Sequence, residues 1–211
     1  ALYNSTTVAA PTLIGQWSFD SDGSPTVGSD TFTAANGATF ASDSGRDAAY
    51  FPNNNSMMYA SPKISLGSEY TISVWFKDLK DVSSANANYI HLDAYSANGT
   101  NGASGTGNKN NIIINSSNHL GVWAGSFSSS GYQMTQALYN GTGWHHLVVA
   151  YDGTSIRYYI NGSQVGNAVT FAGTDGIQSI NGWSNVARTF ATYLDDFRVW
   201  DRALAAAEIL E

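Results

Sequence analysis

Carboxylates are the first residues in this chain that could do chemistry. Sixteen Asp plus Glu face nine Lys plus Arg, a net charge of −7 over 211 residues. Only three are glutamates: Glu69, Glu208 and Glu211. Glycoside hydrolysis needs two carboxylates straddling the scissile bond, ~5–5.5 Å apart in a retaining enzyme. No Glu here lies two residues from an Asp in a strand-like run. Asp195 and Asp196 are adjacent, and neighbours in a strand point to opposite faces. His145 and His146 diverge for the same reason, and His91 and His119 have no evident partners in the sequence. A Gly-x-Ser-x-Gly elbow, a phosphate loop and a His-Glu-x-x-His motif are all missing. The absence of cysteine removes disulfides, Cys-ligated zinc, Fe–S clusters and a thiolate nucleophile. The expectation is a protein that is not an enzyme.

Aromatic and amide side chains are the second candidate chemistry. Sugar recognition stacks aromatic rings on C–H faces while amides and backbone groups read the hydroxyls. Six Trp and 12 Tyr are many for this length. Trp17, Trp75, Trp144 and Trp200 read as core. Tyr89, Tyr95, Trp123, Phe127, Tyr132 and Trp183 lie near Gly/Ser/Asn-rich stretches. The string Asn181-Gly182-Trp183-Ser184-Asn185 is the most site-like. The expected ligand set is therefore Trp183, Asn181 and Asn185 with Trp123 and Tyr132. The competing reading places these rings in the core or at its rim.

The elements that must position these groups are strands. Hydrophobic residues alternate with period two in Leu13–Asp20, Thr71–Lys77, Ile112–Ile114, Leu120–Trp123, His145–Tyr151, Ile156–Ile160, Ser163–Val169 and Tyr193–Trp200. Asp152-Gly153 and Asn161-Gly162 are hairpin turn signals between three of them. Helical periodicity is confined to Ala203–Leu210. Short strands joined by Gly/Asn turns imply an antiparallel sandwich rather than βαβ units.

Three segments resemble the laminin-G-like, concanavalin A-like jelly-roll family in its bacterial form: YTISVWFKDL (Tyr70–Leu79), GWHHLVVAYDGTSIRYYINGSQVG (Gly143–Gly166) and LDDFRVWDRALAAAEI (Leu194–Ile209). The opening WSFD (Trp17–Asp20) fits as well. The resemblance implies an all-β fold of two antiparallel sheets, each of five or more strands, with one short C-terminal helix. It also implies a structural calcium near the matching Asp. Parity in the last strand sets Asp195 on the face of Phe197 and Val199, where an unpaired carboxylate is costly. The expected ligands are Asp195 and Asp20, with Asp196 and Asp43 as further members. The alternative has Asp20 and Asp22 in Asx-turns and Asp195 paired with Arg198 or backbone. One departure from the family pattern is Ala205, where a Ser or Thr usually caps the helix three residues before Glu208.

Charge and composition bound the partners. A pI of about 4.8 lacks the basic stripe that nucleic acid requires, and no apolar run approaches the ~20 residues of a membrane span. Charged residues are only 12% of the chain, against roughly 25% in typical domains, and neutral polar residues replace them. Residues 1–10 read as the remnant of a linker and 11–211 as a single domain. The functional expectation is a non-catalytic, carbohydrate-binding, monomeric module. Its setting would be a larger extracellular bacterial adhesin or secreted enzyme, and its partners a glycan or glycoprotein surface and neighbouring domains. The alternative is a structural spacer or protein-interaction domain without a sugar site.

Overall fold

Alternating apolar positions, cut by turns, give sixteen strands and one helix among the described residues. The computed structural model describes residues 10–82, 89–95, 108–139, 143–183 and 186–209. Strands β1 (Leu13–Trp17), β2 (Phe32–Ala35), β3 (Thr39–Asp43), β4 (Arg46–Tyr50), β5 (Met57–Ser65) and β6 (Tyr70–Leu79) open the chain. Next come β7 (Tyr89–His91), β8 (Asp93–Ala94), β9 (Lys109–Asn115), β10 (His119–Ala124), β11 (Phe127–Gln133) and helix α1 (Gln136–Tyr139). Strands β12 (His145–Tyr151), β13 (Ser155–Ile160), β14 (Ser163–Thr170), β15 (Gly176–Ile180) and β16 (Ala191–Trp200) complete it.

The large sheet runs β14-β13-β12-β6-β16-β4-β3, with β1 also on β16. The turn between β12 and β13 is fixed locally. Asp152 Oδ1 accepts the Thr154 and Ser155 N–H groups at 3.1 and 2.8 Å, and Gly153 takes φ +87°. Asn161-Gly162 turns β13 into β14 with φ of 50° and 78°, the double left-handed geometry of a type I′ hairpin.

The opposite layer is not one continuous sheet. It consists of two four-stranded sheets, β11-β10-β9-β7 and β2-β5-β15-β8. One buried cluster draws on all three sheets, including Ile72, Val74 and Leu147, Met58 and Ile180, Ile112 and Val122. The two smaller sheets meet where β8 lies beside β9. There the Leu92 N–H donates to Ile112 O, and Tyr95 and Lys109 exchange backbone bonds. Between these bonds sits Asp93, fully buried. Its Oδ2 accepts from the backbone N–H and side-chain Nδ2 of Asn111 at 3.1 and 2.7 Å. Its Oδ1 accepts from Ile112 N at 2.8 Å. Tyr70 and Tyr158 donate their hydroxyls to Asn111 Oδ1 and O at 2.6 and 2.7 Å. Burial pushes the Asp93 carboxyl up to about 6, against the opposing pull of its hydrogen bonds.

The C-terminal helix expected over Ala203–Leu210 is instead a turn at residues 206–209. Its bonds run from Glu208 N to Ala205 O and from Ile209 N to Ala206 O, three residues apart. Only half of a capping box survives. Glu208 Oε2 accepts the Ala205 N–H at 2.8 Å, while Ala205 offers no hydroxyl in return. Arg202 grips both Glu208 oxygens at 2.6 and 2.9 Å, and Leu204 and Ile209 pack on Val148, Ala150 and Tyr159. Arg202 and packing hold the segment without a regular helix.

Asp93→Asn replaces one acceptor oxygen with an NH2 that must face an N–H donor. The expected cost is about 3 kcal/mol. Calorimetry should show the melting temperature lowered by about 6–12 °C for a domain of this size. A shift below about 2 °C would show that the two small sheets do not depend on this carboxylate.

Candidate functional site

Strand alternation places an aromatic surface on the outside of the β7–β9–β10 sheet. Ile90, Ile112, Ile114, Leu120 and Val122 go to the core. Residues of opposite parity on these strands, Tyr89, His91, Ile113 and Trp123, line a cavity of about 180 Å³ with Asn108, Asn110, Trp183 and Arg188. Gly121 lets β11 come close beside this surface: a Cβ there would lie 2.1 Å from Ser128 O and 2.8 Å from the Phe127 ring.

The rings form two groups. Tyr89 meets Trp123 edge-on at 5.4 Å between centroids and tilts against Phe127 at 5.9 Å. A second group has His91 stacked on Trp183 at 5.8 Å with 21° between planes. The Arg188 guanidinium lies over the Trp183 ring, 4.4 Å from its centroid. Arg188 Nη1 is 3.3 Å from His91 Nε2. A guanidinium only donates, so Nε2 is the acceptor and the proton of the neutral ring sits on Nδ1. Burial, and then the charge of Arg188, drive the His91 pKa down to about 3.

Among the described residues three buried polar atoms of this lining make no well-formed hydrogen bond: Asn108 Oδ1, Arg188 Nε and His91 Nδ1, although the His91 ring also interacts with the Asn110 side chain. Such orphans cost about 1–3 kcal/mol each, and buried polar groups are normally satisfied. The cavity thus combines two donors, one acceptor and aromatic walls. Beneath it, the Asn110 amide donates to Asp93 O, which ties the lining strand to the buried carboxylate.

Of the residues expected from sequence, Trp183 and Trp123 meet at this cavity. Asn181 does not line it. It is fully buried at φ +59°, and its amide donates to Ala191 O and accepts from Ala191 N, both at 2.8 Å. Tyr132 packs against the core cluster from β11. Asn185 lies outside the described residues. The sequence does not single out His91 and Asn110, lone residues on strands, or Asn108 and Arg188, outside them, because none of the four belongs to a motif. The alternation of His91 with Ile90 was the one available signal.

Three of the four carboxylates expected to share calcium have cationic partners, and the fourth is exposed. Asp195 binds Arg46, and Asp43 binds Lys77 at 2.7 Å. Asp196 holds Arg198 through two bonds, at 2.6 and 2.8 Å, and accepts from Gln16 at 3.0 Å. Asp20 is exposed. Among the described residues no three Asp, Glu or His side chains gather as metal ligands. A bulge explains the change for Asp195. The β16 register shifts between Asp195 and Arg198, with Asp196 at φ +48°. Leu194 and Phe197 therefore both face the core, while Asp195 pairs with outward-facing Trp75. Arg46 is held there between the Trp75 and Trp144 rings at 4.8 and 4.7 Å. Asp22 does make an Asx-turn, accepting Ser24 N at 2.7 Å.

A wider hollow of about 500 Å³ lies on the outer face of β6, β12 and β16, among Trp75, Trp144, His146, Arg198 and Trp200. Its Asp196–Arg198 pair and its Glu208 are already neutralised from within. Trp144 Nε1 is an orphan there. The smaller cavity brings three orphans together.

The fold is thus a β-sandwich with an aromatic-lined polar cavity on one face. The chain belongs to the concanavalin A-like lectin/glucanase superfamily, whose laminin-G-type family model matches residues 43–210. It is similar in fold to domain 4 of an extracellular arabinanase from Geobacillus stearothermophilus, solved with arabinotriose. The TM-score is 0.64 at 17% identity, covering 96% of this chain and 98% of that one. It is also similar to the Trypanosoma rangeli sialidase in complex with the inhibitor DANA, at TM-score 0.62 and 14% identity, covering 100% of this chain and 34% of the sialidase. A third likeness is the ligand-binding domain of botulinum neurotoxin serotype D in complex with N-acetylneuraminic acid. Here the TM-score is 0.63 at 11% identity, with coverage of 94% and 49%. The chain thus spans about a third and a half of the latter two. No match is found among curated proteins.

The buried imidazole gives a pH signature. Unfolded, His91 titrates near 6.5; folded, near 3. Below pH 6.5 the unfolded chain takes up a proton that the folded site refuses. Stability is therefore retained above pH 6.5 and lost as pH falls towards 3, by about 1.4 kcal/mol per unit. Asp93 runs the other way: its folded value near 6 lies above 3.8, so its contribution is full below 3.8 and fades as pH rises through 6. His91→Phe keeps a ring on Trp183 and removes only the His91 slope. In urea titrations the stability of wild type relative to His91→Phe should fall steadily from pH 6 to 4. A difference constant with pH contradicts a neutral, buried His91.

Proposed function

We propose that this chain is a non-catalytic carbohydrate-binding module. Its sugar site is the cavity between Trp123 and Trp183. The observation that carries this is the meeting of three unpartnered polar atoms with aromatic walls in a space the size of roughly one sugar ring. Buried donors and an acceptor left without protein partners suit hydroxyl recognition. The rings offer the stacking faces. The family includes lectins, and two similar structures were solved with arabinotriose and N-acetylneuraminic acid. These likenesses support the reading without fixing the sugar.

The module would act within a larger extracellular protein, attached to other domains and facing a glycan or glycoprotein surface. Among the described residues no helix is long and apolar enough to cross a membrane. No hydrolytic role is proposed: Asp43, Asp195, Asp196 and Glu208 stand in ion pairs, Asp20 is exposed, and Asp93 is sealed in the interior by N–H donors.

One cavity of this size buries little ligand, so affinity should be micromolar to millimolar. Isothermal titration against a panel of mono- and oligosaccharides should find a binder. Trp183→Ala should weaken it about ten- to thirtyfold, from the ~1–2 kcal/mol of a lost stacking face. Trp200→Ala, on the opposite face of the sandwich, should leave the affinity unchanged. If no sugar binds at tens of millimolar, the spacer reading replaces this one.

A further inference from the structure

The five arginines differ in one respect. Arg46, Arg157, Arg198 and Arg202 each hold an Asp or Glu within 2.9 Å. Arg188 has no carboxylate partner among the described residues; its contacts are the Trp183 ring and His91. The undescribed stretches contain no acidic residue except Glu211. No Asp or Glu lines the cavity. In a chain with seven more acidic than basic side chains, one cavity has thus been kept clear of carboxylates around an arginine.

We infer that the cavity selects an acidic sugar, a pyranose bearing a carboxylate, and that Arg188 receives that carboxylate. This rests on the carbohydrate reading above and narrows its ligand class. Three features support it. Nη1 of Arg188 is engaged by His91, whereas Nε–H, which belongs to the edge that grips a carboxylate through two parallel bonds, is an orphan. The guanidinium lies on Trp183, so its plane is set before a ligand arrives and little rotamer freedom is lost on binding. His91 Nδ1–H adds a second donor, while Asn108 Oδ1 can take a sugar hydroxyl. A neutral sugar would leave the guanidinium edge unmatched, which is how a polar site rejects an analogue lacking the right group.

The test is an amide-shift NMR titration of the whole domain. The probes are the methyl glycosides of glucuronic acid, galacturonic acid and N-acetylneuraminic acid, each beside its methyl ester. At least one acid should bind about tenfold or more tighter than its ester, with shifts centred on His91, Trp123 and Trp183. In Arg188→Gln the acid and its ester should bind within about twofold of each other. Arg188→Lys, which keeps the charge but not the fork, should fall between. Equal binding of acid and ester by the wild type overturns the inference and leaves the carbohydrate reading standing. So does a preference that survives in Arg188→Gln, or a sulfated neutral sugar that binds as tightly as the acid. If neither acids, esters nor neutral sugars shift any resonance, both readings fall. The wild-type comparison is decisive even if an Arg188 variant fails to fold.

Discussion

A buried carboxylate held by N–H donors, with no ion pair among the described residues, ties together the second layer of this sandwich. Asp93 sits at the junction of two four-stranded sheets and accepts three N–H bonds from Asn111 and Ile112. Stranding that charge in the interior would cost several kcal/mol, so the three donors must stay aligned. They stay aligned only while β8 and β9 keep their relative position. Tyr70, from the large sheet, reaches across the core to Asn111, and Tyr158 closes the other side. Both phenols are pushed above their ordinary range by burial. The network therefore couples both layers at one point.

The candidate site is the outward consequence of that junction. His91 is two residues before Asp93, and Asn110 is one before Asn111. The same backbone stretches that clamp the carboxylate on one side present the imidazole and the amide on the other. Trp183 and Arg188 come from the loop between β15 and β16. That loop is anchored by Asn181, whose amide joins the two strands through Ala191. Rigid anchors on both sides of a small cavity favour recognition by preorganisation rather than by area.

Much of the architecture was legible in the sequence because period two is a strong signal. His145–Tyr151 is reproduced to the residue, and the two Gly turns behave as their types require. The helix at Ala203–Leu210 was not, since Ala205 removes half its cap and Arg202 holds the segment instead. The inward Asp195 failed because parity counts assume an unbroken ladder, and a bulge at Asp196 reverses the faces. Trp183 and Trp123 were legible as rings beside polar loops. Asn181 looked equally site-like, but its left-handed backbone and buried amide are invisible to composition. Arg188 and His91 emerge only when pairing is known, because what distinguishes them is an absent partner.

The proposed sugar site lies on the β7–β9–β10 face and not on the opposite one. A crystal structure of the domain grown with a bound glycan decides it most directly. The expected result is a sugar ring between Trp123 and Trp183, with hydrogen bonds to His91 Nδ1 and Asn108 Oδ1. A sugar seated instead in the hollow among Trp75, Trp144 and Trp200 would contradict it.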